Sequence, residues 1–181
     1  MTLIPNTLSL IRILFVPFIL WLLLLEYFIM AGITIAVISS TDIIDGYIAR
    51  KFNSETLVGF YLDAIADKVL IISIYIVLSI KTLIPLYLIM FIVFREILIS
   101  GSYLFGLALK ISHNLRPNFI SKINTFCQIF LIIFICFFSN NLSIEYNLIK
   151  LIGNFLIITV MVTTILSSFF YIFMWVKAVN N

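Results

Sequence analysis

DIIDGYIARKFNSETLVGFYLDAIAD, residues 42–67, contains every aspartate of a 181-residue chain that is 64% hydrophobic. The stretch decides the fold because it forces one question: where can acidic groups sit when mean hydropathy is +1.25 and 10% of residues are charged? Such a composition does not suit a water-soluble globule with a polar exterior.

Working outward, apolar runs of about 20 residues recur along the chain, each long enough to cross roughly 30 Å of hydrocarbon as a helix. The sequence reads as all-α, a polytopic membrane protein with six transmembrane helices at residues 6–25, 29–50, 57–80, 83–109, 119–138 and 147–176. A single domain over residues 1–181 is expected, since no repeat, low-complexity tract or Pro/Gly-rich linker marks a second. The opening MTLIPNTLSLIR lacks a basic n-region and no A-x-A site follows, so helix one is expected to be retained. The net charge of +3 is too small and scattered for nucleic acid but suits an anionic leaflet.

Basic residues set the orientation. Arg12, Arg50, Lys51, Lys110, Arg116, Lys122 and Lys177 fall on one side of this arrangement, against Lys81 and Lys150 on the other. The richer side is read as cytoplasmic, which puts the aspartates, both termini, the 110–122 loop and a polar active-site cavity there.

Asp42 and Asp45 are three apart near the end of helix two, and Asp63 and Asp67 are four apart near the start of helix three. Each pair shares a helix face, and two facing pairs make a four-carboxylate cluster. A carboxylate at mid-membrane costs about 2.5–3.5 kcal/mol on insertion scales, and four like charges repel, so the cluster requires a cation. All-oxygen ligation suits Mg²⁺ or Mn²⁺, and four carboxylates can hold two ions about 3.5–4 Å apart. Any single aspartate is explained as readily by capping a helix at the water interface; four together, with none elsewhere, are not. A cation transporter would spread its carboxylates through the membrane depth, whereas these sit at one interface beside small residues and an arginine. Gly46 and Ala49 remove bulk beside Asp45, Gly59 clears the facing helix, and Arg50 offers a guanidinium fork suited to phosphate. The small residues also suit close helix packing.

The pattern Asp42-x2-Asp45-Gly46-x2-Ala49-Arg50-x8-Gly59-x3-Asp63-x3-Asp67 resembles the signature of the CDP-alcohol phosphatidyltransferases at all eight fixed positions. The opening Pro5-Asn6-x2-Ser9-x2-Arg12 and the six spans extend the likeness. The resemblance implies transfer of a phosphatidyl group from CDP-diacylglycerol to an acceptor alcohol, with release of CMP, at a two-metal carboxylate site. It implies Asp42, Asp45 and Asp63 as principal metal ligands and Asp67 as general base that also touches metal. Gly46, Ala49 and Gly59 would line the CDP pocket with Arg50 on phosphate. Asn6 and Arg12 are further candidates for nucleotide and phosphate contacts. The resemblance implies a homodimer, and a prokaryotic inner membrane is the expected setting.

The second half bears on the acceptor. Arg95-Glu96-Ile97-Leu98-Ile99-Ser100 resembles phosphatidylglycerophosphate synthases, which use glycerol 3-phosphate. Arg116-Pro117-Asn118-Phe119-Ile120-Ser121-Lys122-Ile123-Asn124-Thr125 is similar instead to cardiolipin synthases, which use phosphatidylglycerol. Where the former usually read Gly-Lys-x-Lys-Thr, Ser121 replaces the glycine and Asn124 the second lysine. A dianionic monoester wants several cationic donors, so fewer basic groups favour the lipid acceptor, with glycerol 3-phosphate as the alternative. Arg95, Arg116 and Lys122 are the candidate acceptor contacts, although basic residues at span ends also serve as cytoplasmic anchors. Cys127 and Cys136 lie in one apolar helix and read as packing; His113, the only histidine, is assigned nothing.

Overall fold

The computed structural model describes the backbone of residues 3–51, 57–108, 119–139 and 146–179, with side chains at 12–41, 66–101, 119–139 and 147–177. Six helices account for it: α1 Leu3–Leu24, α2 Phe28–Lys51, α3 Leu57–Ile80, α4 Leu86–Ala108, α5 Phe119–Phe138 and α6 Tyr146–Val179. No strand occurs among the described residues. Their order and approximate bounds match the six apolar runs. By length and composition, Phe119–Phe138 and Asn147–Lys177 are long and apolar enough to cross a membrane. Large apolar side chains are exposed on every helix described at side-chain level, among them Leu14, Met30, Ile80, Met90, Phe126 and Phe173. Such an outer surface suits lipid rather than water.

Two helix ends show how the chain stops a helix without glycine. After α1, Tyr27 N–H bonds to Leu22 C=O (2.9 Å) and Glu26 N–H to Leu23 C=O (3.2 Å), with Glu26 at φ 65°. After α3, Leu83 N–H bonds to Leu78 C=O (3.0 Å) and Thr82 N–H to Ser79 C=O (2.9 Å), with Thr82 at φ 60°. Both are Schellman closures, which satisfy carbonyls the helix end would leave bare. Glycine is the usual residue at such a left-handed position, so each of these two carries local strain. Pro17 lies inside α1 and gives up one backbone bond.

The chain forms two compact units, Met1–Leu83 with Ile132–Ile144, and Ile84–Leu131 with Glu145–Asn181. In the first unit α1 packs on α3 and on α2. Ion pairs fix the register: Arg12 with Asp67, and Lys81 with Glu26 at 2.7 Å, both joining residues 55 apart in sequence. A constant offset means that α1 and α3 run parallel. Between the pairs, Val16, Ile19 and Leu23 on α1 match Ile71, Ile74 and Leu78 on α3 at that same offset, and all six are buried. Positions 12, 16, 19, 23 and 26, with 67, 71, 74, 78 and 81, step by four and three residues, the spacing of a heptad seam. The seam is about 21 Å long at 1.5 Å per residue. Gly32 on α2 meets the end of α5 in this unit: a Cβ there would lie 2.9 Å from Cys136 Cβ and 3.3 Å from the Phe137 ring.

In the second unit α4 packs on α6. Its buried positions include Arg95 on α4, Ser121, Asn124 and Gln128 on α5, and Thr164, Ser167 and Ser168 on α6. The spacing is again three and four, but the residues are polar.

Candidate active site

The acidic motif straddles the last turns of α2 and the first turns of α3. Asp42, Asp45, Gly46, Ala49 and Arg50 belong to α2, and Gly59, Asp63 and Asp67 to α3, so each aspartate pair does sit on a continuous helix. The side chains of Asp42, Asp45, Ala49, Arg50, Asp63 and Asn6, and the whole of Arg116 and His113, lie outside the described residues, and the four-carboxylate arrangement lies there with them.

Asp67 is the motif residue whose side chain is described. Its Oδ1 accepts a hydrogen bond from Arg12 Nη1, and the two form an ion pair. Arg12 is 6% exposed, whereas the Asp67 side chain remains 42% exposed. Burying a guanidinium in an apolar interface is costly without a partner, and the carboxylate supplies one. The heptad seam explains why they meet, since Arg12 continues the stripe of Val16, Ile19 and Leu23 and Asp67 that of Ile71, Ile74 and Leu78.

A partly exposed carboxylate beside three others in sequence fits a hard divalent cation, and the donor set of Asp42, Asp45, Asp63 and Asp67 is all oxygen. Among the described residues no group of three or more His, Cys, Asp or Glu side chains is gathered for a metal ion.

A second polar centre occupies the second unit. Arg95, 3% exposed, donates from Nη1 to Glu96, from Nη2 to Ser121 Oγ and from Nε to Ser167 Oγ at 3.4 Å. The arginine therefore ties α4 to α5 and α6. Three residues along α5 from Ser121, Asn124 is fully buried; its Oδ1 accepts from Thr163 Oγ1 (2.8 Å) and Thr164 Oγ1 (2.9 Å). Its Nδ2 is buried with no hydrogen-bond partner among the described residues. Lys122, between these inward positions, is exposed on the first turn of α5. Of the candidate acceptor contacts, Arg95 is thus buried and multiply bonded and Lys122 faces outward.

Sequence reading missed Ser167, Thr163 and Thr164 as partners of Arg95 and Asn124. A signal existed: Thr164, Ser167 and Ser168 repeat the three-and-four spacing of α5 inside an apolar run. It also missed the pairing of Arg12 with Asp67, because an arginine in a first span reads equally well as an interfacial anchor.

Comparison with known proteins completes the picture. The family model described as CDP-alcohol phosphatidyltransferase matches residues 2–179. The rat cardiolipin synthase (CMP-forming) is 34% identical over 145 residues, covering 71% of this chain and 48% of the relative. A chloroplastic CDP-diacylglycerol–glycerol-3-phosphate 3-phosphatidyltransferase 1 of rice is 31% identical over 145 residues, 71% of this chain and 44% of its own. The chain thus spans about half the length of these two relatives. A Rickettsia bellii CDP-diacylglycerol–glycerol-3-phosphate 3-phosphatidyltransferase is 32% identical over 174 residues, 92% of both chains. Members of the matched family are generally dependent on a divalent metal. With its eight-position motif on α2 and α3 and a match over nearly its whole length, this chain belongs to the CDP-alcohol phosphatidyltransferase family.

Proposed function

We propose that this protein transfers a phosphatidyl group from CDP-diacylglycerol to a glycerol hydroxyl, releasing CMP, with phosphatidylglycerol as the acceptor. The observation that carries the reaction is the eight-position motif at the end of α2 and start of α3 in a chain matched by its family over residues 2–179. Asp42, Asp45, Asp63 and Asp67 would hold two Mg²⁺ or Mn²⁺ ions, which when bound neutralise pyrophosphate charge and stabilise charge developing at the attacked phosphorus. Asp67 takes the acceptor's hydroxyl proton as that oxygen bonds to phosphorus and the bond to the CMP oxygen breaks. Gly46, Ala49 and Gly59 leave room for the nucleotide against the helix backbones, Arg50 offers its fork to phosphate, and Asn6 contributes a polar contact from α1.

The acceptor reading is supported by how the second unit uses its charge. Arg95 is engaged by Glu96, Ser121 and Ser167, and position 124 holds a buried amide where a lysine would supply a cation. With Arg95, Arg116 and Lys122 as the candidate donors, a singly charged phosphodiester is better matched than a dianionic monoester. Glycerol 3-phosphate is the second reading, favoured by the Rickettsia relative that this chain covers over 92% of both lengths and whose name carries that acceptor.

In the same proposal all six helices span the membrane as one domain over 1–181, with the aspartates lining a cytoplasm-facing cavity and both termini on that side. The bias of seven basic residues to two and the apolar exposed surface support it. The setting is a prokaryotic inner membrane and the assembly a homodimer. The test is to incubate purified protein with CDP-diacylglycerol and Mg²⁺ or Mn²⁺, offering phosphatidylglycerol, glycerol 3-phosphate, serine and inositol phosphate in parallel. Cardiolipin with CMP is the expected product. Phosphatidylglycerophosphate would overturn the acceptor, and absence of CMP with every alcohol would overturn the reaction.

A further inference from the structure

We infer that Arg12 is a positioning residue for Asp67, in place of the phosphate contact its motif suggests. The inference rests on the reading of Asp67 as the residue that receives the acceptor proton.

Three observations carry it. Arg12 is 6% exposed, and its Nη1 is given to Asp67 Oδ1 across 55 residues of sequence. The offset of that pair is repeated by Glu26 and Lys81, and between the two ion pairs α1 packs on α3 with buried apolar residues on both helices, so the contact belongs to the packed α1/α3 seam and not to a mobile arm. Asp67 remains 42% exposed, so the group Arg12 holds is itself reachable. A guanidinium buried in a packed interface and bonded to Oδ1 restrains the carboxylate's orientation, and rate falls steeply when a reacting group is misplaced by about 1 Å.

The experiment compares Arg12→Lys and Arg12→Gln with wild type in mixed micelles. Positioning predicts kcat lowered about 10- to 100-fold, less in the lysine variant, with KM for CDP-diacylglycerol within about threefold. A KM rise of about tenfold or more at unchanged kcat would restore the phosphate contact and overturn the inference. Unchanged kcat and KM in folded protein would reduce Arg12 to a structural role and overturn it equally. A second readout needs neither metal nor turnover: thermal unfolding in EDTA of Arg12→Gln, Asp67→Asn and the double variant. Coupled groups lose less Tm together than the sum of the single losses, whereas additive losses refute the pair. If Arg12→Gln fails to fold, the kinetics of Arg12→Lys decide. If wild type releases no CMP with any acceptor, the proposed function fails, while the EDTA cycle still reports whether the pair exists.

Discussion

In the first unit the α1/α3 seam is apolar along its length and charged only at its two ends, whereas the second unit buries its polar groups along the interfaces themselves. Both use the same three-and-four spacing. The α1/α3 seam brings buried apolar faces together with an ion pair at each end that fixes their register. The second unit relies on hydrogen bonds between helices, which average about 0.6 kcal/mol each in membrane proteins. Their arginines differ accordingly. Arg12 meets a partner on another helix that is half open to its surroundings; Arg95 meets its neighbour in sequence and two hydroxyls from other helices, all enclosed. The difference separates a charge paired with a half-open carboxylate from one bonded within an enclosed cluster that joins three helices.

The strongest way to break this contrast is at Asp67, the proposed proton acceptor. Asp67→Asn, nearly isosteric, is expected to cut CMP release by at least about 10³-fold, more than the 10²- to 10⁴-fold range of a lone acid–base contribution would require at its lower limit. The protein should stay folded by circular dichroism and size exclusion; retained turnover would remove Asp67 from the chemistry.

Next is Arg95→Leu. It removes the arginine from a largely enclosed Glu96 carboxylate and should cost up to about 3–5 kcal/mol, read as a drop in thermal stability in detergent. Arg95→Leu/Glu96→Leu should recover much of the loss, since a buried pair replaced as a whole is often near neutral. If the double variant is no better, the hydroxyls of Ser121 and Ser167 carry more than the ion pair does.

Gly32→Ala probes packing in the first unit. The added Cβ would fall 2.9 Å from Cys136 Cβ, an atom fixed close to its own backbone. Overpacking of about 1–3 kcal/mol outweighs the roughly 1 kcal/mol that alanine gains in helix propensity, so Tm should fall. A rise would mean that α2 and the end of α5 separate easily.

The smallest expected effects lie at the far end of the seam. Thr82→Gly relieves a β-branched residue at φ 60° and should stabilise by about 0.5–1 kcal/mol. Glu26→Gly relieves φ 65° too but surrenders the bond from Lys81, a partly exposed pair of about 0–1 kcal/mol. Its gain should therefore be the smaller, and a larger Tm rise for Glu26→Gly than for Thr82→Gly would mean that the ion pair contributes nothing.

The helices were legible because apolar runs of about 20 residues, broken by short connectors, have the length and composition of helices that satisfy their backbone bonds within themselves. The acidic motif was legible for a related reason: aspartates at spacings of three and four in so apolar a chain have few uses, and both pairs do lie on continuous helices. Which face of each helix meets which partner was not legible. Residues 12, 16, 19 and 23 have the spacing of a seam, but Leu14, Phe15 and Phe18 beside them are just as apolar and face outward.

Sequence alone determined the order of the helices, the place of the acidic motif on two of them and the family, because each depends on residue type and spacing along one chain. Only the tertiary structure decided that Arg12 meets Asp67, that α1 and α3 share an offset of 55, and that Arg95 is held by Ser121 and Ser167. Along α1 and α3 apolar residues lie on inner and outer faces alike, so polarity does not mark the buried side there, and pairing is set by side-chain shape and by the few charges that must find one another.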